Sequence, residues 1–209
     1  VPSTAQARAK RRRRHEELRA QVREATIALG EKTSFKDLTV DEIARATGIT
    51  RSAFYLYFRD KHELLMEATR EVADELYREA DRWWHGDGEP ESLIREALTG
   101  VTTVYARHAS LLRIATEVAT YDEEIRQFWL GLVERFITAT AAHLRREQKA
   151  RRVRRLRARD TAEALVWMVE RCCYVYLAEG DRDPGELVEA LAPIWLNALY
   201  DGRAAVSTA

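Results

Sequence analysis

The chain has 209 residues, 46% of them hydrophobic, enough to pack a sizeable core in one large domain or two small ones. Its formal net charge is +0 at pH 7, which excludes a uniformly basic coat but conceals a dipole: residues 1–66 hold 14 Lys and Arg against 9 Asp and Glu, and residues 67–209 hold 20 against 25. No uninterrupted apolar run approaches the ~20 residues a membrane helix needs and no signal-sequence pattern opens the chain, so the expected location is cytoplasmic with no membrane partner.

In chain order, the first segment is VPSTAQARAKRRRR, residues 1–14, which holds almost no apolar bulk and ends in Lys10 to Arg14. It is expected to be a basic arm, disordered when free, because it has too little to bury to offset the entropy of ordering. Two roles fit it: a solvated tail, or an arm that touches phosphate or the minor groove. Beyond it the apolar residues recur at three and four positions, so the chain reads as all-α with about nine helices. The spacing predicts them at roughly 12–29, 40–47, 51–58, 61–84, 91–107, 109–118, 121–149, 160–179 and 184–200. Five starts carry a polar acceptor with Glu three residues later, the pattern in which both side chains satisfy free N–H groups of a first turn: Thr39 with Glu42, Asp60 with Glu63, Thr120 with Glu123, Asp160 with Glu163, and Asp183 with Glu186. The loops are HGDGEP at 85–90 and the Arg-rich EQKARRVRRLRAR at 147–159, the latter read either as a solvated or disordered loop or as a contact for an anionic partner.

Within the basic part, TVDEIARATGITRSAFYLYF (39–58) has the anatomy of a helix-turn-helix. A capped first helix is followed by a turn at Gly48, where glycine tolerates the left-handed backbone, and by a short second helix opened by Thr50. Turning 100° per residue puts Phe54 and Phe58 on one face with Tyr57 at its edge, and Ser52 and Leu56 on the opposite face, flanked by Tyr55 and Ala53. The first face is expected to pack inward. The second, with Thr50 and Arg51 at the helix start, is expected to meet DNA, where Leu56 can touch a thymine methyl group and Arg51 a base edge. Thr39 and Lys61 stand at helix starts, whose free N–H groups suit phosphate, and the hydroxyls of Tyr55 and Tyr57 can donate to phosphate oxygens. A half-buried core tyrosine is the alternative for both.

The block TVDEIARATGITRSAFYLYFRDKHELL, with its Tyr-x-Tyr-Phe ending and a Lys shortly after it, resembles the DNA-binding motif of the TetR family of transcriptional regulators, over residues 15–66. The resemblance implies a three-helix head (15–60), joined through a long fourth helix to a helical ligand-binding and dimerising body (61–209). Ala53 departs from it, standing where the family often has a Ser or Thr that touches phosphate. Further on, TGVTTVYARHASLLRIATEVATYDEEIRQFW, ITATAAH and IWLNALY resemble the body of a mycobacterial subgroup of this family, the repressors of ethionamide activation, which bind elongated apolar ligands in an aromatic-lined tunnel. By position, the resemblance implies a lining that includes Val104, His108, Trp129, Phe136, Thr140, Val166, Val169, Tyr174 and Trp195. Val166 and Val169 replace polar amides, so a ligand anchored by amide hydrogen bonds would lose its anchors here.

Read on its own, the body holds all five Trp residues, beyond residue 82. Phe128, Trp129, Leu132, Val133 and Phe136 form a helical stripe, which serves either as core or as the wall of an apolar ligand cavity. His108 lies between two helices and either orients a polar ligand group or caps a helix at the surface. The remaining histidines have no i, i+4 partner or Cys companion, so no metal site and no cofactor is expected. Cys172 and Cys173, adjacent in sequence, are expected as reduced core residues. No converging acid, base or nucleophile and no phosphate-cradling Gly loop points to an enzyme. The last two helices carry broad apolar faces with Met168, Leu191, Ile194, Trp195 and Leu199, expected to form the four-helix interface of a two-fold homodimer. The expected function is a DNA-binding transcriptional regulator, a repressor released from a pseudo-palindromic double-stranded operator by a small lipophilic effector. A ligand-independent DNA binder or an activator of the same fold is the alternative.

Overall fold

The computed structural model describes residues 4–200. Among the described residues lie nine α-helices and no strand: α1 (Thr4–Gly30), α2 (Val40–Thr47), α3 (Arg51–Phe54), α4 (Lys61–His85), α5 (Pro90–Arg107), α6 (Ala109–Val118), α7 (Glu123–Lys149), α8 (Ala158–Cys173) and α9 (Pro184–Leu199), with a π-helical turn, Tyr174–Ala178, extending α8. None is long and apolar enough to cross a membrane.

Helix starts follow local hydrogen-bond chemistry. Thr39 Oγ1 accepts from the Glu42 amide at 3.2 Å while the Glu42 carboxylate accepts from the Thr39 amide at 2.8 Å. Asp60 caps α4 through the Glu63 amide at 2.8 Å, and Asp183 caps α9 through Gly185 and Glu186, with Pro184 in the first turn. Two expected starts differ. Thr120 instead closes α6, donating its hydroxyl to Glu117 O at 2.7 Å, and Asp122 caps α7 through the Ile125 amide at 2.9 Å. Helix α8 begins at Ala158, which leaves Asp160 in the first turn, paired with Arg157 at 3.0 Å. Both departures have one cause: an acidic side chain suits any position near the positive end of a helix dipole, so the pattern marks the start without naming the cap.

Four further expectations are corrected. Residues 4–14, expected to be disordered, are the first turns of α1, with exposed ion pairs from Arg12 to Glu16 and from Arg13 to Glu17. Low apolar content denies this segment a core, but Ala, Arg, Lys and Gln favour helix locally and the buried part of α1 nucleates it. Residues 1–3 of the arm lie outside the described residues. The second helix of the helix-turn-helix ends at Phe54, not 58, and tight turns follow, with Leu56 N donating to Ala53 O at 3.1 Å and Tyr57 N to Phe54 O at 2.9 Å. The regular part of α8 stops at Cys173. Finally, the Arg-rich loop is tied down: Arg152 bonds Glu147 at 2.7 Å, Arg159 pairs with Glu134 at 2.6 Å, Gln148 donates to Leu156 O at 2.8 Å, and Val153 is buried.

Packing assembles these helices around two linked centres. In the head, Val22, Phe35, Leu38, Ile43, Phe54 and Phe58 bury together with Leu64 and Leu65 from the first turns of α4. Each such side chain contributes about 1.5–3 kcal/mol on burial. Helix α4, about 37 Å long at 1.5 Å per residue, leaves the head and carries Trp83 and Trp84 into the body at its other end. There α5 packs on α4 and α9, and α7 packs on α8.

Candidate DNA-reading surface and ligand cavity

The turn between α2 and α3 rests on Gly48, whose φ of 69° lies in the left-handed region, while Thr50 Oγ1 accepts from the Ala53 amide at 3.1 Å. This geometry fixes which way α3 faces. Phe54 and Phe58 are buried with ring centroids 5.6 Å apart, and the other side of the segment projects outward, with Thr50, Arg51 and Ser52 exposed, Tyr55 likewise, and Leu56 at 79% exposure. Arg51 is pre-positioned by Asp41 at 2.9 Å and lies 5.9 Å from the Tyr55 ring centroid. Thr39 is exposed at the start of α2. These six residues share the accessible surface of the head.

Tyr57 and Lys61 do not. Tyr57 is half-buried against His15, ring centroids 4.5 Å apart, and its carbonyl accepts from Arg19 at 2.7 Å. Lys61 Nζ donates to three carbonyls, Phe35 O at 2.6 Å, Leu38 O at 2.7 Å and Lys36 O at 2.9 Å. An ammonium has three protons, and all are used to close the loop between α1 and α2, so phosphate would have to displace a carbonyl. Burial also pushes the Lys61 pKa down. The ammonium role expected of Lys61 is therefore replaced by loop closure, while Tyr57 takes the half-buried position that was its alternative. Sequence reasoning missed Arg19, which bonds both Tyr57 O and Glu67 and lies 4.4 Å from the Phe58 ring centroid, tying α1 to α4.

The body holds a cavity of about 120 Å³ between α4, α5, α6, α7, α8 and α9. Its walls are Thr69, Ala73, Leu76, Ala80, Trp83 and Trp84 from α4, Ile94, Ala97, Leu98, Val101 and Tyr105 from α5, Leu112 from α6, Trp129, Leu132, Val133, Phe136 and Thr140 from α7, Val166, Val169, Glu170 and Cys173 from α8, and Trp195 from α9. Six expected residues are brought together here: Trp129, Phe136, Thr140, Val166, Val169 and Trp195. Three are not. On α5 the lining stripe runs through Ile94, Leu98, Val101 and Tyr105, which turns Val104 and His108 one step round the helix. Val104 instead edges an outer groove with Glu75 and Arg107, and His108 Nε2 stands 3.3 Å from Glu75 Oε2. Tyr174, where α8 widens into its π turn, donates its hydroxyl to Glu179 at 2.8 Å.

Apart from Thr140, the polar groups at the cavity were not found from sequence. Trp84 Nε1 donates to Thr140 Oγ1 at 3.2 Å, and the Trp84 carbonyl accepts from Arg146 at 3.1 Å and bonds His143 Nδ1 at 3.0 Å. Burial pushes the Glu170 carboxyl and Cys173 thiol pKa values up and the His143 value down. A helical projection would have flagged Glu170, which falls on the same face of α8 as Val166 and Cys173. Among the described residues, no group of three or more His, Cys, Asp and Glu is placed to hold a metal ion, and both cysteines are free.

Comparison with known proteins matches this anatomy part by part. Residues 22–68 match the family described as bacterial regulatory proteins, tetR family, and residues 94–201 match the C-terminal domain of transcriptional regulator EthR. The chain is 31% identical over 224 residues, with 100% of both chains covered, to the HTH-type transcriptional regulator EthR of Mycolicibacterium smegmatis. It is 25% identical over 173 residues, 78% of each chain, to EthR of Mycobacterium tuberculosis. Among solved structures, NalD, the secondary repressor of the MexAB-OprM multidrug efflux pump in Pseudomonas aeruginosa, superposes with a TM-score of 0.73 at 21% identity, covering 90% of this chain and 99% of that one. PfmR of Thermus thermophilus gives a TM-score of 0.70 at 18% identity, covering 86% and 99%. At those identities the structures speak for the fold, while the sequence relatives speak for descent. The chain belongs to the TetR family of bacterial transcriptional regulators, with a C-terminal domain of the EthR type.

Proposed function

We propose that this regulator is a repressor released from a pseudo-palindromic operator by a small lipophilic effector. The observation that carries the reading is that one helix, α4, serves both centres: Lys61, Leu64 and Leu65 belong to the head, and Thr69 to Trp84 line the cavity. A ligand that displaces the cavity wall of α4 therefore also displaces the head. In a two-fold dimer this changes the separation of two reading segments that must enter successive major grooves. Thr39, Thr50, Arg51, Ser52, Tyr55 and Leu56 are the contacts proposed on DNA, with Leu56 and Arg51 at base edges and the others on phosphate. The cavity residues Trp129, Phe136, Thr140, Val166, Val169 and Trp195 are proposed to hold the effector. Dimerisation is proposed through α8, its π turn and α9, where the exposed Val175, Tyr176 and Ile194 support it, and a cytoplasmic location is proposed because an operator lies there.

A 100-fold release requires the effector to prefer the non-binding state by about 2.7 kcal/mol. The test is selection of binding sites from random duplexes, followed by titration with lipophilic compounds while Trp fluorescence and duplex release are recorded. Arg51→Ala should cost about 1–3 kcal/mol at one base position, and Tyr55→Phe should weaken all sequences evenly. Absence of sequence-specific, salt-dependent duplex binding would sink the reading.

A further inference from the structure

The cavity wall is apolar almost throughout, and its polar exceptions are of three kinds, one being the indole donors Trp83 Nε1 and Trp195 Nε1, buried without a hydrogen-bond partner. Thr69 donates its hydroxyl to Leu65 O at 2.7 Å, and Thr140 accepts from Trp84 at 3.2 Å, so the fold itself uses them. Glu170 and Tyr105 are different. Glu170 is 9% exposed and neither of its carboxyl oxygens has a hydrogen-bond partner; Tyr105 is 4% exposed and its hydroxyl has none. Arg171 Nη2 stands 3.7 Å from Glu170 Oε2, outside hydrogen-bond reach, and its guanidinium lies 5.0 Å from the Tyr174 ring centroid. The two groups share one patch of wall, on α5 and α8: burial first, then the Glu170 charge, pushes the Tyr105 phenol pKa up. Buried carboxyl and hydroxyl groups without partners are costly, and a group that would satisfy them on binding removes that cost.

We propose that this patch recognises the protonated amine of an elongated lipophilic ligand, the ammonium donating to both Glu170 oxygens and to Tyr105 Oη while the hydrocarbon lies along Trp129, Phe136 and Val166. The stoichiometry favours an amine over other head groups. At the Glu170–Tyr105 patch, an ammonium carries three donors and no acceptor, matching its three unfilled acceptors, whereas an alcohol supplies one donor and a carboxylate meets like charge. The aromatic walls add attraction for a cation. The proposal rests on the effector-cavity reading above and narrows it from any lipophilic molecule to a basic one.

The test compares octylamine, 1-octanol and octanoate, which share a chain length and differ in head group, by Trp fluorescence titration of the full chain. On the wild type, octylamine should bind about tenfold or more tightly than octanol, as a charge-assisted hydrogen bond implies, and octanoate most weakly. In Glu170→Gln the ratio of octylamine to octanol affinity should collapse to within about twofold, while Glu163→Gln, an exposed carboxylate on the same helix, keeps it. Octanol binding the wild type as tightly as octylamine overturns the amine proposal and leaves the lipophilic cavity standing, and so does a preference that survives Glu170→Gln. If none of the three binds the wild type, the cavity reading itself fails and this proposal with it. The wild-type comparison decides the matter even if Glu170→Gln does not fold.

Discussion

Leu56 and Phe58, two residues apart, face opposite surroundings: Leu56 is 79% exposed and Phe58 is 1% exposed. The physical consequence is a separation of binding from folding at the level of single side chains. Phe58→Ala should lower stability by about 3–5 kcal/mol in a urea titration, as a large buried ring leaves a cavity. Leu56→Ala should change stability by no more than about 0.5 kcal/mol and yet weaken specific operator binding, measured by fluorescence anisotropy at fixed salt. Lys61 makes the opposite distinction among charged residues. With its ammonium donating to three carbonyls, Lys61→Met should cost about 1.5–3 kcal/mol of stability and leave the salt dependence of DNA binding unchanged. A phosphate-binding cation, when removed, lowers that slope by about 1; a drop of that size would return Lys61 to the DNA surface.

At the scale of elements, α4 is held at both ends by polar contacts as well as by packing. Near its start Glu67 takes Arg19 and Arg23, the latter at 3.0 Å, and near its end the Trp84 carbonyl bonds His143 of α7 at 3.0 Å. Burial holds the His143 pKa below its ordinary value in the folded chain. The sign follows from that depression: neutral His143 contributes stability above the unfolded imidazole value of about 6.5, and the contribution is lost as pH falls through the folded value. Compared with His143→Gln, the wild type should therefore lose thermal stability progressively below about pH 6.5. Glu134, which Arg159 and Thr138 hold at about 2, belongs to a much more acidic range and does not confuse the measurement. A wild-type and variant difference that stays flat from pH 7 to 5 would show that the imidazole is protonated without penalty.

At the scale of the molecule, two reading segments act together only if the chain dimerises, and the apolar surface left on its last helices points to where. Ile194 is 50% exposed on α9, at the edge of the face that buries Leu187, Leu191 and Trp195. Ile194→Glu should leave the helical content intact, shift the sedimentation coefficient to that of a monomer and abolish tight operator binding, since each half-site alone holds only one head. A dimer that persists with Glu at 194 would place the interface elsewhere.

The sequence by itself determined the all-α class, the helix-turn-helix and the inward face of Phe54 and Phe58, while six of the cavity residues were implied by its resemblance to a family. The first three follow from local rules: helical periodicity, a left-handed glycine and capping chemistry act within a few residues of each other. Where such rules were ambiguous it erred by a turn, as at Thr120 and Asp160, and the resemblance set Val104 and His108 on the cavity where helix register turns them away from it. Only the tertiary structure decided which polar groups are satisfied. Lys61 finds three carbonyls from a loop more than 20 residues earlier, whereas Glu170 and Tyr105 find none. A hydrogen bond depends on what packs opposite, and no local pattern of residues carries that information.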